Sequence, residues 1–271
     1  MSLRLFLSNL KLGRWGLVSW GVLIFLYGIL TMYLYPTITE SSINILGYLN
    51  SLPEAMKAAF GYEGMDFTSI TFTPEAFATL EFLIVWPLLI GVYGIFASVG
   101  IAREAERGTL DLLLAQPVKR YKVLISKFSV FIFAALIIAI ASLLGLLLGT
   151  SIINETVDTM SLAMVLFEAL LLVLALASFT LLCSAIFLEP RKSLLAAGIA
   201  MAGSYIINFI VPVLDPSISW LRNISLFYHY RPNEIISSAS LSGTAIIVYT
   251  AVFIVCSIAA LIIFQRRDLA V

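Results

Sequence analysis

Charge, histidine and cysteine are all scarce in this chain. Asp, Glu, Lys and Arg together make up 12% of 271 residues, and there are one histidine and two cysteines. Each scarcity excludes a class of chemistry. A His-Glu-x-x-His metalloprotease site needs two histidines one helical turn apart, and His229 stands alone. A membrane serine protease would need a Gly-x-Ser-Gly turn and a paired histidine, and the chain has neither. Cys183 and Cys256 each sit in an apolar run, without zinc-site or disulfide-framework spacing. They read as small packing residues, and no metal site is expected. No Gly-x-x-x-x-Gly-Lys-[Ser/Thr] phosphate loop occurs, and no glycine is followed by lysine anywhere. If ATP drives anything here, another chain must bind it.

What the chain does have is apolar sequence: 61% hydrophobic residues and a mean hydropathy of +1.04. Soluble domains carry roughly twice this charge and cannot hide so much apolar surface. The fold class expected is all-α, polytopic in the membrane, as a single domain over residues 1–271. A spanning helix needs about 20 mostly apolar residues. Six stretches qualify: Trp15–Tyr35, Phe82–Ile101, Phe128–Ile153, Met160–Leu188, Ser193–Leu214 and Thr244–Phe264. The first follows basic residues, as a signal peptide would. It is long enough to span, however, and no small-residue cleavage site follows, so it reads as a retained helix.

Six spans put both termini, the 102–127 segment and the 189–192 turn on one side. Thirteen of the 16 Lys and Arg residues lie there, leaving only Lys57, Arg222 and Arg231 opposite. The positive-inside rule makes the richer side cytoplasmic. Ser2–Lys11 reads as a short interfacial helix, with Arg4, Ser8 and Lys11 on one face and leucines and Phe6 on the other. In the outer loop, Ser51-Leu-Pro-Glu54 is a capping box for a second interfacial helix that Gly61 ends. Thr73-Pro74-Glu75 is a start signal for the second span, and Pro87 predicts a kink or discontinuity inside that span. Between the fifth and sixth spans, Trp220, Phe227, Tyr228, His229 and Tyr230 mark an outer interfacial or re-entrant element.

The segment between the second and third spans is far denser in charge than the rest. Arg103, Glu104, Glu106 and Arg107 permit i,i+3 pairs that support a short helix, which Gly108 breaks. Thr109 caps a second helix, with Asp111 in its first turn and Leu110, Leu113 and Leu114 as an apolar stripe. Pro117 ends it, and Arg120 lies among the basic residues that follow. A leucine ridge with charged flanks fits a groove on another protein; the plainer reading is that it lies on the bilayer.

The run Arg103-Glu-Ala-Glu-Arg-Gly-Thr-Leu-Asp-Leu-Leu-Leu-Ala-Gln-Pro-Val-Lys-Arg-Tyr121 closely resembles the cytoplasmic signature of type-2 ABC export permeases. That signature is approximately Glu-x-x-x-Gly-Thr-x-[acid]-x-Leu-Leu-x-x-Pro-[Val/Ile]-x-Arg. Glu104, Gly108, Thr109, Asp111, Leu113, Leu114, Pro117 and Arg120 fall on its positions. The closing Phe264-Gln-Arg-Arg-Asp-Leu269 is similar to the ends of many members. The resemblance implies a permease that dimerises or pairs with a sister permease. It implies two cytoplasmic ABC ATPase subunits that carry the ATP and magnesium, with none on this chain. It also implies coupling to them through residues 102–120, and a substrate path lined by spans two and five. Glu106 is a second acid beside Glu104, and either could be the main polar contact. The location implied is the cytoplasmic membrane of a prokaryotic cell; no enzyme activity and no nucleic-acid partner are expected.

Three further features stay open at this level. Ala196, Ala200 and Ser204 repeat small residues along the fifth span, and fit either packing within the chain or a dimer seam. Gly145-Leu-Leu-Leu-Gly149 in the third span is expected to pack within the chain. Glu168 stands inside the fourth span. It either snorkels, bonds to a neighbouring helix, or handles substrate or protons. An ATP-independent secondary transporter or channel would build on that residue and on Pro87.

Overall fold

The computed structural model describes residues 3–40, 47, 51–53, 56–57, 73–108, 120–214 and 216–266. Among them every regular element is helical. Six helices are long and apolar enough to cross a membrane: Leu5–Thr39, Pro74–Glu106, Tyr121–Ile152, Thr159–Phe187, Pro190–Val211 and Gly243–Arg266. These six match the six expected stretches; each begins earlier than expected, while the third, fourth and fifth end slightly sooner. Apolar content marks only the hydrocarbon crossing, while the helices continue into the polar layers. The outer helix expected at Ser51–Gly61 lies largely outside the described residues.

The first helix runs unbroken from Leu3 to Glu40, 38 residues. The interfacial helix expected at Ser2–Lys11 is therefore not a separate element. Nothing between Lys11 and Trp15 breaks the helix, so the amphipathic stretch is continuous with the first span. This helix packs on the third span through glycines. A Cβ on Gly28 would sit 3.1 Å from the Leu146 nitrogen, and one on Gly149 would sit 2.6 Å from the Met32 Cβ. The expectation that Gly145 and Gly149 pack within the chain holds.

The second span is discontinuous, as Pro87 predicts. Thr73 caps its start, its hydroxyl accepting from the Ala76 N–H at 3.3 Å with Pro74 in the first turn. The helix Pro74–Ala78 widens into a π turn over Thr79–Leu83, and resumes as Trp86–Ser98 and then Gly100–Glu106. Proline has no N–H to give the carbonyl four residues back, which here is Leu83. The Tyr230 hydroxyl donates to that carbonyl at 2.8 Å, and the Tyr27 hydroxyl donates to the Glu81 carbonyl at 2.5 Å. Broken backbone at membrane depth persists only where the protein supplies such partners.

The fourth span forms the centre of the bundle. Buried residues make up 61% of its most apolar stretch, against 17% for the fifth and sixth spans. Asp158 caps it, accepting from the Met160 N–H and the Ser161 hydroxyl. The Ser161 bond, then the Met160 bond, holds this exposed carboxyl below its usual range. Between the fifth and sixth spans the chain forms two 3-10 turns, Pro216–Ile224 and Leu226–His229, and a short helix, Pro232–Ser238. Phe227 and Tyr230 are buried, and the Tyr249 hydroxyl donates to the Leu226 carbonyl at 3.0 Å. His229 rests its ring on Tyr228 and pairs with the Asn223 carbonyl, a packing role.

Candidate functional site

Two features sit close together on the second span. One is the helical stem Gly100–Glu106, which leads into the charged segment. The backbone bends at Val99, whose ψ of 7° leaves the helical range and frees the first N–H groups of the stem. The Ser184 hydroxyl of the fourth span accepts the Ala102 N–H at 3.1 Å. From the third span, the Lys127 ammonium pairs with Glu104 at 2.5 Å and reaches the Gly100 carbonyl at 3.4 Å. The stem ends at Gly108, whose φ of +66° is a left-handed cap. The helix break expected at Gly108 is thus present in the backbone.

The four charged residues of the stem divide by exposure. Arg103 and Glu104 are half-buried, while Glu106 and Arg107 are exposed. The strong partner of Glu104 is Lys127 rather than a residue of its own helix. Of the two acids, Glu104 is engaged within the chain and Glu106 faces outward. Thr109, Leu110, Asp111, Leu113, Leu114 and Pro117 lie outside the described residues, as does the side chain of Arg120. Sequence reasoning placed Lys127 only among the basic residues that follow Pro117, suited to anionic headgroups, and did not single out Ser184. Ser184 lies 82 positions from Ala102, and a serine in an apolar helix gives no sign of which backbone group it will meet.

The other feature is an apolar groove between the second and fifth spans, about 440 Å³ in volume. Val92, Ile95 and Phe96 line it from one side, and Gly198, Met201 and Ala202 from the other. Beside it, Leu195, Ile199 and Ile206 leave the fifth span with more than half their surface uncovered or close to it. Ala196 and Ala200 are half-buried. Ser204 acts within the chain: its hydroxyl accepts the Leu226 N–H at 2.8 Å, and its carbonyl accepts the Ser225 hydroxyl at 2.6 Å. This ties the 216–238 segment to the fifth span.

Glu168 does not snorkel. It is wholly buried in the fourth span, and neither carboxyl oxygen has a hydrogen-bond partner among the described residues. The backbone N–H groups of Arg231 and Ser242 approach it without reaching hydrogen-bond geometry. The 216–238 segment folds over this level of the helix, closing the route to the interface that a free helix would offer. Tyr230 and Tyr249 flank it, and burial, then the neighbouring Glu168, pushes the Tyr230 phenol well above its usual range.

Among curated proteins no relative matches this chain. The family described as ABC-2 family transporter protein matches residues 13–269, nearly the whole length, including the stem, the groove and all six spans. With six apolar helices, a braced stem at the end of the second and that match, the chain belongs to the ABC-2 transporter permeases, multi-pass membrane proteins of ABC transport systems.

Proposed function

We propose that the chain is the membrane subunit of an ATP-driven exporter. Two copies, or one copy and a sister permease, enclose a substrate path along the groove between spans two and five. Two cytoplasmic ATPase subunits supply ATP and magnesium, and this chain hydrolyses nothing. Residues 102–120 receive the ATPase motion, and Ala196 and Ala200 approach the seam between permeases. The observation that supports the reading is the bracing of the stem. Lys127 and Ser184 hold its root to the third and fourth spans, while Glu106 and Arg107 stay exposed at its tip. Force applied at the tip therefore passes into the bundle centre instead of bending a loop. ATP binding to the partner then biases two states of the permease.

A photo-crosslinker in place of Glu106, in membranes of the native host, is expected to join the permease to a polypeptide that labels with azido-ATP. A crosslinker at Glu155, at the far end of the third span, is expected to join no such chain. Absence of the labelled adduct from position 106 overturns the reading.

The buried Glu168 favours one second reading, transport driven by protons without ATP. Glu168→Gln keeps the side-chain shape and removes ionisation. We expect this variant to insert, fold and transport as the parent does, because the exporter reading asks only packing of this residue. Transport lost in a folded Glu168→Gln protein would favour the second reading.

A further inference from the structure

A cleft of about 400 Å³ opens between the first span, the stem and the third span. Its rim carries Arg103, Arg107 and Lys127, with Glu104 the acid among the lining residues. Below the rim the wall is apolar and aromatic, with Leu17, Tyr93 and Phe131. Gly13 opens it from the first span, and a Cβ there would meet nothing within 4 Å. Lys127 is already shared between Glu104 and the Gly100 carbonyl. Among the described residues neither Arg103 nor Arg107 forms an ion pair, so two guanidinium groups face this rim with donors to spare.

The shape has a membrane scale. Tyr93 and Arg103 lie ten positions apart, which at about 1.5 Å per residue, little shortened by the bend at Val99, is roughly 15 Å along the span. Half of a bilayer's hydrocarbon core is also about 15 Å. The cleft thus runs from headgroup level to mid-bilayer depth, cationic at the top and apolar below. Guanidinium forks match phosphate oxygens bidentately, and excess positive charge repels a choline headgroup. We propose that this cleft holds one anionic phospholipid from the leaflet at the stem end. Its phosphate sits on Arg103 and Arg107, and one acyl chain lies along Leu17, Tyr93 and Phe131. The site stands independently of the exporter reading, since it needs only the bundle and a bilayer.

Native mass spectrometry of the purified full-length protein tests this, with phosphatidylglycerol and phosphatidylcholine added in equal amounts. The expected result is one retained phosphatidylglycerol and little phosphatidylcholine. The double variant Arg103→Gln, Arg107→Gln is expected to retain roughly tenfold less phosphatidylglycerol or lower still. Gly13→Phe leaves every charge in place and fills the cleft from open space, so it guards against a charge variant that merely misfolds. It is expected to lose the lipid as well. Soluble glycerol phosphate is expected not to compete, because it lacks the chain that fills the wall. Equal retention of the two lipids overturns the proposal. So does unchanged phosphatidylglycerol in either variant, or competition by glycerol phosphate.

Discussion

Gly145→Ala is expected to destabilise the protein, although alanine is the better helix former. The gain in helix propensity is about 1 kcal/mol on the scale for soluble helices. Against it, the new Cβ lands on the Phe25 carbonyl oxygen and 3.1 Å from that residue's carbonyl carbon. Both are backbone atoms of the first helix and cannot rotate away. The helices must separate, and overpacking of this kind costs about 1–3 kcal/mol. Separation also loosens the Gly28 contact with Leu146 and the Gly149 contact with Met32, since all three lie on one seam. Gly21→Ala is the control, because a Cβ there meets nothing within 4 Å. The measurement is thermal unfolding in detergent. A lower Tm for Gly145→Ala beside an unchanged or higher Tm for Gly21→Ala is the expected pattern. Equal responses at the two glycines would show that the close approach of the first and third spans is not as described.

The second large effect is expected at the Glu104–Lys127 pair. The two side chains are 17% and 22% exposed, so the pair is only partly screened by solvent. Hydrogen bonds to charged groups in such settings contribute about 1.5–3 kcal/mol. Glu104→Lys replaces attraction with repulsion and also removes the neighbour that positions Lys127 on the Gly100 carbonyl. The stem is then free at its root and, on the proposed exporter reading, ATPase activity of the assembled transporter should no longer be linked to transport. The swapped pair, Glu104→Lys with Lys127→Glu, restores the attraction and is expected to restore most of the coupling. The swap decides between two roles for Glu104. A brace inside the permease recovers in the double variant. A direct contact with the ATPase stays broken, because the partner still meets a lysine.

Membrane location, six crossings and helical class were legible in the sequence, because each is a property of local segments. Twenty apolar residues must be buried wherever they are, and backbone in lipid must satisfy itself. Pro87 announced the break in the second span for the same reason: a missing N–H is a local fact. Which groups repair the break was not local. Tyr230 reaches the Leu83 carbonyl from 147 positions away, and Tyr27 reaches the Glu81 carbonyl from 54. Glu104 looked as though it would pair along its own helix, and only the third span's approach gave it Lys127. Glu168 looked shallow enough to reach the interface, and only the folding of the 216–238 segment over the fourth span buried it. Sequence alone therefore settled that the chain is helical with six segments long and apolar enough to cross a membrane, and roughly where each lies. Tertiary structure settled which polar groups meet, because a hydrogen bond or ion pair depends on distances that chain order does not constrain.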